Sequence, residues 1–162
     1  MTIAAILILS FVTLQRLGEL WLAQRNTRRL LAGGASEVGA AHYPLIVAVH
    51  SAWLAALWWL APGQPIVWPL FAIFVLLQLA RIWVIATLGR RWTTRIIVLH
   101  DAAPIRSGPY RYFSHPNYLV VALEIAVLPL TFGLVGVALL FSFLNAAMLT
   151  IRIRAENRAL GI

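Results

Sequence analysis

SGPYRYFSHPNY (residues 107–118) decides the fold, because it places a polar, aromatic-rich segment directly before a long apolar run. That run extends from Tyr118 to Ile151, with Glu124 as its one charged residue, and it closes in RIRAEN at residues 152–157. An apolar run of this length is long enough to enter a bilayer. The polar segments at its two ends therefore indicate chemistry at a membrane surface.

The composition places the chain among integral membrane proteins. Hydrophobic residues make up 62% of its 162 residues, charged residues make up 11%, and the mean hydropathy is +0.86. The apolar residues form long runs and not amphipathic stripes, which excludes an ordinary soluble domain. No run alternates with period two, as a strand of a membrane barrel would, so the spans are expected to be helices.

We predict one all-α membrane domain over residues 1–162 with five transmembrane helices. A helix needs about 20 apolar residues to cross the hydrocarbon core, and the last apolar run holds two shorter spans if it folds back. Pro129 to Gly133 is the expected break, because proline removes a helix hydrogen bond and glycine tolerates a turn. The predicted spans are residues 2–22, 44–61, 66–88, 117–131 and 133–151.

The arginines predict the orientation. All thirteen basic residues are arginines, and most follow the first, third and fifth spans, whereas the turn at residues 61–65 carries none. By the positive-inside rule, the N-terminus is outside and the C-terminus and both larger loops are cytoplasmic. The net charge of +8 is therefore attributed to the membrane surface and not to nucleic-acid binding. We expect the first span to be retained and not cleaved as a signal, because no basic residue precedes it and it contains Arg16 and Glu19.

Seven ionisable or amide residues within the spans fall in the half that this orientation places next to the cytoplasm. They are Arg16, Glu19, His50, Gln78, Arg81, Glu124 and Asn145. Ionisable groups at such depth usually face a bundle interior, so one interpretation is a cavity open to the cytoplasm. The alternative is that Arg16 pairs with Glu19 at i,i+3, Arg81 extends to the interface and Glu124 bonds a neighbouring helix. Both interpretations stay open for Glu124 and Arg81, and the local one is favoured for Arg16, Glu19 and His50.

The loop at residues 89–114 has the composition of a folded segment. Residues 92–99 favour a short strand, and SGPY at residues 107–110 is typical of a turn. Pro116 fits the first position of a helix, which makes His115 the expected N-cap and turns free N–H groups toward the cytoplasmic loop. Such a helix end favours a carboxylate or phosphate. The alternative is an aromatic belt whose tyrosines anchor the helix at headgroup level.

The C-terminal segment offers a second group of polar side chains. Arg152 and Glu156 are four residues apart, so they share a face if a helix continues from the fifth span. A carboxylate there suits an amine or ribose hydroxyls, and the alternative is a basic helix end with one ion pair. The absence of cysteine excludes disulfides and thiolate metal ligands. No metal site is predicted.

The chain resembles the isoprenylcysteine carboxyl methyltransferase family of membrane enzymes over residues 92–160, and its bacterial branch in particular. The motifs that carry the resemblance are GPYRY at residues 108–112, HPNY at residues 115–118, a helical hairpin, and Arg152 with Glu156 four residues later. The resemblance implies transfer of a methyl group from S-adenosylmethionine, which enters from the cytoplasm, to a lipophilic acceptor. It also implies a bacterial inner-membrane location.

The resemblance further implies roles for individual residues. The family's substrate-orienting arginine falls on Arg152. Two departures are Ser114, where the family commonly has arginine, and Asn157, where it often has a second glutamate. The cofactor contacts carry over to Ile105, Tyr110, His115, Pro116, Asn117, Tyr118 and Glu156.

The chemistry of the reaction agrees with these roles. Displacement at a sulfonium methyl needs alignment and exclusion of water, with no metal and no covalent intermediate. A carboxylate acceptor needs only an arginine such as Arg152 to position it. A hydroxyl acceptor requires a base, for which Glu124, His115 and Glu156 are candidates.

The identity of the acceptor stays open at this point. A small lipophilic molecule, such as the long-chain alkylpyrones or alkylresorcinols of the bacterial branch, is favoured over a prenylated protein. Methylation of a phospholipid amine is an alternative within the same chemistry. A membrane scaffold or small transporter without enzymatic activity, with Arg81 and Glu124 as a solute path, is an alternative from another class.

Overall fold

The computed structural model describes residues 3–99 and 102–160, and most of these residues are helical. Four of the described helices are long and apolar enough to cross a membrane, and a fifth apolar helix has only 16 residues. The predicted all-α membrane class is therefore confirmed. The helices are α1 (Ile3–Ala32), α2 (Tyr43–Leu60), α3 (Trp68–Leu88), α4 (Pro116–Thr131) and α5 (Val135–Leu160).

α1 and α5 continue beyond the predicted spans that end at residues 22 and 151, whereas α4 matches its predicted span, residues 117–131, to within one residue. α1 has 30 residues and is about 45 Å long at 1.5 Å per residue, which exceeds a hydrocarbon core of about 30 Å. It continues beyond the predicted end at residue 22 because arginine is a good helix former and the next glycine after that point is Gly33. α4, by contrast, is only about 24 Å long.

The hairpin between α4 and α5 forms where proline and glycine predict a break. α4 ends at Thr131 and α5 begins at Val135. Gly133 has a φ of 68°, a left-handed conformation that glycine adopts without strain. The backbone N–H of Val67, just before α3, donates to the carbonyl of Thr131 at 2.8 Å. This bond fastens the start of α3 to the end of α4.

The two ends of the bundle differ in polarity. A buried apolar cluster fills the end that contains the N-terminal half of α1 and the turn between α2 and α3. Its largest members are Leu9, Trp53, Leu57, Phe74, Leu128, Phe132 and Phe141. Large apolar side chains such as Trp59 and Phe143 point away from the bundle, as expected for a surface that faces lipid. The polar side chains of the helices lie toward the other end.

A two-stranded antiparallel ribbon covers that polar end. β1 (Ser36–Val38) pairs with β2 (Ile96–Val98), so the predicted strand within residues 92–99 forms. Arg95 donates to the Glu37 carboxylate at 2.6 Å and lies 4.2 Å above the ring of Tyr43. These contacts hold the ribbon against the start of α2.

Candidate functional site where α4 meets α5

The first turn of α4 is built as its sequence predicts. His115 occupies the N-cap position and Pro116 is the first helical residue, where the missing N–H of proline costs nothing. The carbonyl of His115 accepts the backbone N–H groups of Tyr118 and Leu119 at 3.1 and 3.2 Å. Pro116 is buried and anchors this turn, so the side chains of His115, Asn117 and Tyr118 are presented from a fixed frame.

The C-terminal part of α5 packs directly against this turn. The hydroxyl of Tyr118 donates to the Glu156 carboxylate at 2.6 Å. His115 Nδ1 lies 3.9 Å from the same carboxylate oxygen, and the rings of His115 and Tyr118 stack with their centroids 5.4 Å apart. The segments that the sequence marks as polar, although 38 residues apart at Tyr118 and Glu156, therefore form one cluster.

Arg152 completes this cluster one helical turn before Glu156. Its Nη1 donates to the carbonyl of Thr94 at 2.9 Å, and its Nε lies 3.4 Å from the hydroxyl of Tyr118. The guanidinium stands 5.5 Å from the centre of the Tyr118 ring. Within residues 3–99 and 102–160, no carboxylate lies within ion-pair distance of Arg152, which is only 9% exposed. An almost buried cation without a counter-ion favours an anionic or strongly polar ligand.

Of the two remaining predicted cofactor contacts, Tyr110 lies near the cluster, whereas Ile105 makes none of its contacts. Tyr110 lies in the 3₁₀ turn Gly108–Arg111, and burial, then the charge of Glu156, then Tyr118, raise the pKa of its phenol. The phenol is therefore neutral at physiological pH and available as a hydrogen-bond donor. Ile105 is half-buried in the segment that precedes this turn, and none of the contacts described above involves it.

A cavity of about 270 Å³ opens beside the cluster. Asn117, Tyr118 and Arg152 form the part of its wall that belongs to the cluster. The wall continues over apolar side chains of α1, α2, α4 and α5, and its polar members deeper along the helices include His50 and Asn145. A cavity lined from several helices, one of the two interpretations of the sequence, is therefore present, with a polar side and a hydrocarbon side.

A buried ion cluster holds the side of the cavity nearest α1 and α3. Arg81 grips the Glu19 carboxylate with two nitrogens, at 2.6 and 2.7 Å, and donates to Glu124 at 2.7 Å. Arg16 donates to Glu19 at 3.1 Å and to Glu124 at 2.7 Å. Gln78 donates to the second oxygen of Glu124 at 2.9 Å. Two guanidinium groups thus face two carboxylates, and their charges sum to zero.

This cluster decides between the two interpretations of the polar residues within the helices. The local pair of Arg16 and Glu19 is confirmed. The extension of Arg81 to the interface is wrong, because Arg81 is 6% exposed and bonds to both glutamates. Glu124 has no exposed surface and is not part of the cavity wall. The structure thus places this catalytic candidate in the ion cluster, away from the space where an acceptor fits.

Several buried polar atoms along the cavity lack a partner among the described residues. The indole Nε1 of Trp92 and the Oδ1 atoms of Asn117 and Asn145 are such atoms, and all three residues line the cavity. Buried polar groups are nearly always hydrogen-bonded in proteins. These three residues add polar groups to the largely apolar surroundings of the cavity.

Sequence reasoning found the two helix ends of this site but missed its other walls. Thr94 acts through a backbone carbonyl, which any residue type supplies, so the sequence carries no signal for it. Trp92 was assigned to a strand-forming segment, and Asn145 was noted only for its depth. Within the described ranges, no group of three or more histidine or acidic residues is arranged to hold a metal ion.

The fold places this chain among integral membrane proteins, with a cluster of polar side chains and a cavity at one end of a helical bundle. The sequence profile of the isoprenylcysteine carboxyl methyltransferase (ICMT) family matches residues 70–162. The chain therefore belongs to the isoprenylcysteine carboxyl methyltransferase family, which implies a membrane methyltransferase.

A full-length bacterial relative supports the family assignment. The chain is 36% identical over 159 residues to Uncharacterized protein YpbQ of Bacillus subtilis (strain 168), and the match covers 95% of each chain. No solved structure matches the chain.

Proposed function

We propose that this protein is an S-adenosylmethionine-dependent O-methyltransferase that acts on a lipophilic acceptor at the cytoplasmic side of a bacterial inner membrane. The observation that carries the proposal is the hydrogen bond between Tyr118 and Glu156, with Arg152 beside it, at the edge of the cavity. It joins the two segments that resemble the family's cofactor-binding motifs in one place.

The residues at the start of α4 and the end of α5 fit the donor molecule. S-adenosylmethionine, when bound, supplies an activated methyl group on a positively charged sulfur. The Glu156 carboxylate has acceptor capacity beyond the bond from Tyr118 and suits an amine or ribose hydroxyls. The first turn of α4 suits the carboxylate of the same molecule.

The acceptor is assigned to the cavity on the other side of Tyr118 and Arg152. Its apolar walls suit an alkyl or prenyl chain, and the guanidinium of Arg152, which has no carboxylate partner among the described residues, orients the reacting oxygen. Alignment of oxygen, methyl carbon and sulfur is the main task of the protein in such a displacement. Ser114 is exposed at the surface, so the charge that the family commonly carries there is not needed to hold this cavity together.

We further propose that all five helices span the bilayer with the N-terminus outside. The arginines at the ends of α1, α3 and α5 lie at the same end of the bundle as the candidate site, which supports a cytoplasmic placement of that end. α4 is shorter than the hydrocarbon core, and a site at its N-terminus is thereby set below the headgroups, where a lipophilic acceptor is concentrated.

Methyl transfer with labelled cofactor tests the proposal. Purified protein in nanodiscs is given the cofactor with 5-pentadecylresorcinol, N-acetyl-S-farnesylcysteine or phosphatidylethanolamine as the acceptor. We expect label in the resorcinol or in the farnesylcysteine and loss of that label in Glu156→Ala, whereas Arg158→Ala, an exposed neighbour on α5, stays active. Label in phosphatidylethanolamine alone would replace O-methylation by amine methylation. Absence of label in every acceptor and in the membrane lipids would contradict the proposal.

A further inference from the structure

We propose that His50 of α2 is the general base that accepts the proton of a hydroxyl acceptor. This inference rests on the proposed function and adds a catalytic residue to it. His50 lies in α2, outside the segment that carries the family motifs, and the structure places its side chain in the wall of the cavity together with Tyr118 and Arg152.

The hydrogen bond of the imidazole fixes which nitrogen serves as the base. Nδ1 of His50 lies 2.9 Å from the backbone carbonyl oxygen of Ile46. A carbonyl only accepts, so Nδ1 carries a hydrogen and donates it. In the neutral ring the lone pair then belongs to Nε2. A neutral imidazole held in this tautomer by its own helix is a preorganised proton acceptor at the cavity wall.

The carboxylates of the described residues are each engaged elsewhere. Glu19 lines the cavity, but both of its oxygens accept bonds from Arg81, with further bonds from Arg16 and Gln15. Glu124 is enclosed in the ion cluster. The remaining two carboxylates lie outside the cavity wall. Glu37 accepts a hydrogen bond from Arg95, and Glu156 accepts one from Tyr118.

The hydroxyls of the site do not replace the imidazole. Tyr118 gives its hydrogen to Glu156, and the hydroxyl of Tyr43 pairs with that of Thr94 at 3.1 Å. A phenol is also a weak base compared with a neutral imidazole. Among the described residues that line the cavity, His50 Nε2 therefore remains the basic atom available to a hydroxyl.

The proton and electrons balance without a further reactant. The O–H bond of the acceptor breaks as its proton passes to Nε2 of His50. The oxygen electron pair forms the new bond to the methyl carbon, and the electrons of the carbon–sulfur bond return to sulfur. The positive charge thus moves from the sulfonium donor to the imidazolium of His50, which later releases its proton to water.

His50→Asn tests the assignment, because the asparagine amide keeps a donor for the Ile46 carbonyl and has no basic nitrogen. We expect turnover of 5-pentadecylresorcinol to fall roughly 100-fold or more, while binding of S-adenosylhomocysteine measured by calorimetry changes less than about twofold.

The rate with a phenol is expected to rise with pH as His50 loses its proton, and this rise is absent in the variant. The charged or titratable groups that share the cavity with His50 are Arg16, Glu19, Tyr43, Arg81, Tyr118 and Arg152.

Two further experiments distinguish a catalytic role of His50 as a base from a purely structural role. Added imidazole is expected to restore part of the activity of His50→Gly, which a purely structural histidine would not allow. An alkylated 4-nitrophenol bound without cofactor is expected to show its phenolate absorption in the wild type and to lose it in His50→Asn. His42→Gln, which changes a histidine outside this cavity, is the matched control and keeps full activity.

The outcomes distinguish this inference from the proposed function. Unchanged turnover of the phenol in His50→Asn overturns the inference, and so does equal loss with a carboxylate acceptor such as N-acetyl-S-farnesylcysteine. A wild type that methylates only the carboxylate also overturns it, while O-methyltransferase activity stands. A wild type that binds no S-adenosylhomocysteine contradicts the proposed function itself.

Discussion

Replacing Glu124 by glutamine tests whether the ion cluster holds α1, α3 and α4 together. The carboxylate accepts bonds from Arg16 and Arg81, each at 2.7 Å, and glutamine has one oxygen and an N–H₂ group that faces these donors. At least one charge-assisted bond is lost, and the cluster gains a net positive charge. Breaking a buried ion pair costs about 3–5 kcal/mol, and we take the lower end, about 3 kcal/mol, because water reaches the Arg16 side chain.

Thermal unfolding in nanodiscs measures this loss. A destabilisation of about 3 kcal/mol lowers Tm by roughly 6–12 °C in a chain of this size. Glu124→Gln/Arg16→Gln leaves the two-nitrogen grip of Arg81 on Glu19 intact and returns the cluster to neutrality, so it is expected to recover part of the loss. Glu37→Gln, which breaks a partly exposed pair, is the matched control and costs about 1 kcal/mol or less. A wild-type Tm for Glu124→Gln, or a double variant that loses as much as the two single variants together, would refute the reasoning.

The remaining predictions concern the site formed by the start of α4 and the end of α5. Tyr118→Phe keeps the ring stacked on His115 but removes the hydroxyl that holds Glu156, so affinity for S-adenosylhomocysteine is expected to fall about tenfold, equivalent to about 1.4 kcal/mol; unchanged affinity by calorimetry would count against the role of this bond. Arg152→Lys keeps the charge but loses the planar fork that reaches the Thr94 carbonyl, so kcat is expected to fall at least about tenfold while cofactor binding is retained. Equal rates for Arg152→Lys and wild type in the labelled-transfer assay would remove Arg152 from the reaction.

The helices could be predicted from the sequence because their signals are local. Apolar run length indicates a membrane helix, and the proline and glycine at Pro129 and Gly133 set the hairpin where it forms. Pro116 likewise predicted the start of α4. The predicted end of the first span at residue 22 marked where the apolar residues stop. The helix itself continues to Ala32, because arginine is unfavourable in the hydrocarbon core but has a high helix propensity.

The tertiary contacts could be predicted only in part. The pair of Arg16 and Glu19 follows from i,i+3 spacing, but their bonds to Arg81 and Glu124 depend on how α3 and α4 are rotated in the bundle. The partner of β2 likewise comes from the distant segment Ser36–Val38, and nothing local in either strand specifies that pairing.

The site itself was predicted at its two helix ends and not between them. Tyr118 and Glu156 carried motif signals, and the structure joins them. His50 carried no such signal, because a lone histidine on an apolar helix is as compatible with packing as with chemistry. Its position in the cavity wall becomes visible only when α2 is placed beside α4 and α5.

The proposed activity requires a single site for the methyl donor that is formed jointly by the start of α4 and the end of α5. Isothermal calorimetry of S-adenosylhomocysteine with the solubilised full chain tests this claim most directly. We predict one binding event per chain that His115→Ala and Glu156→Ala each weaken and that Arg158→Ala leaves unchanged. Absence of binding heat in the wild type, or binding that neither His115→Ala nor Glu156→Ala alters, would contradict the account.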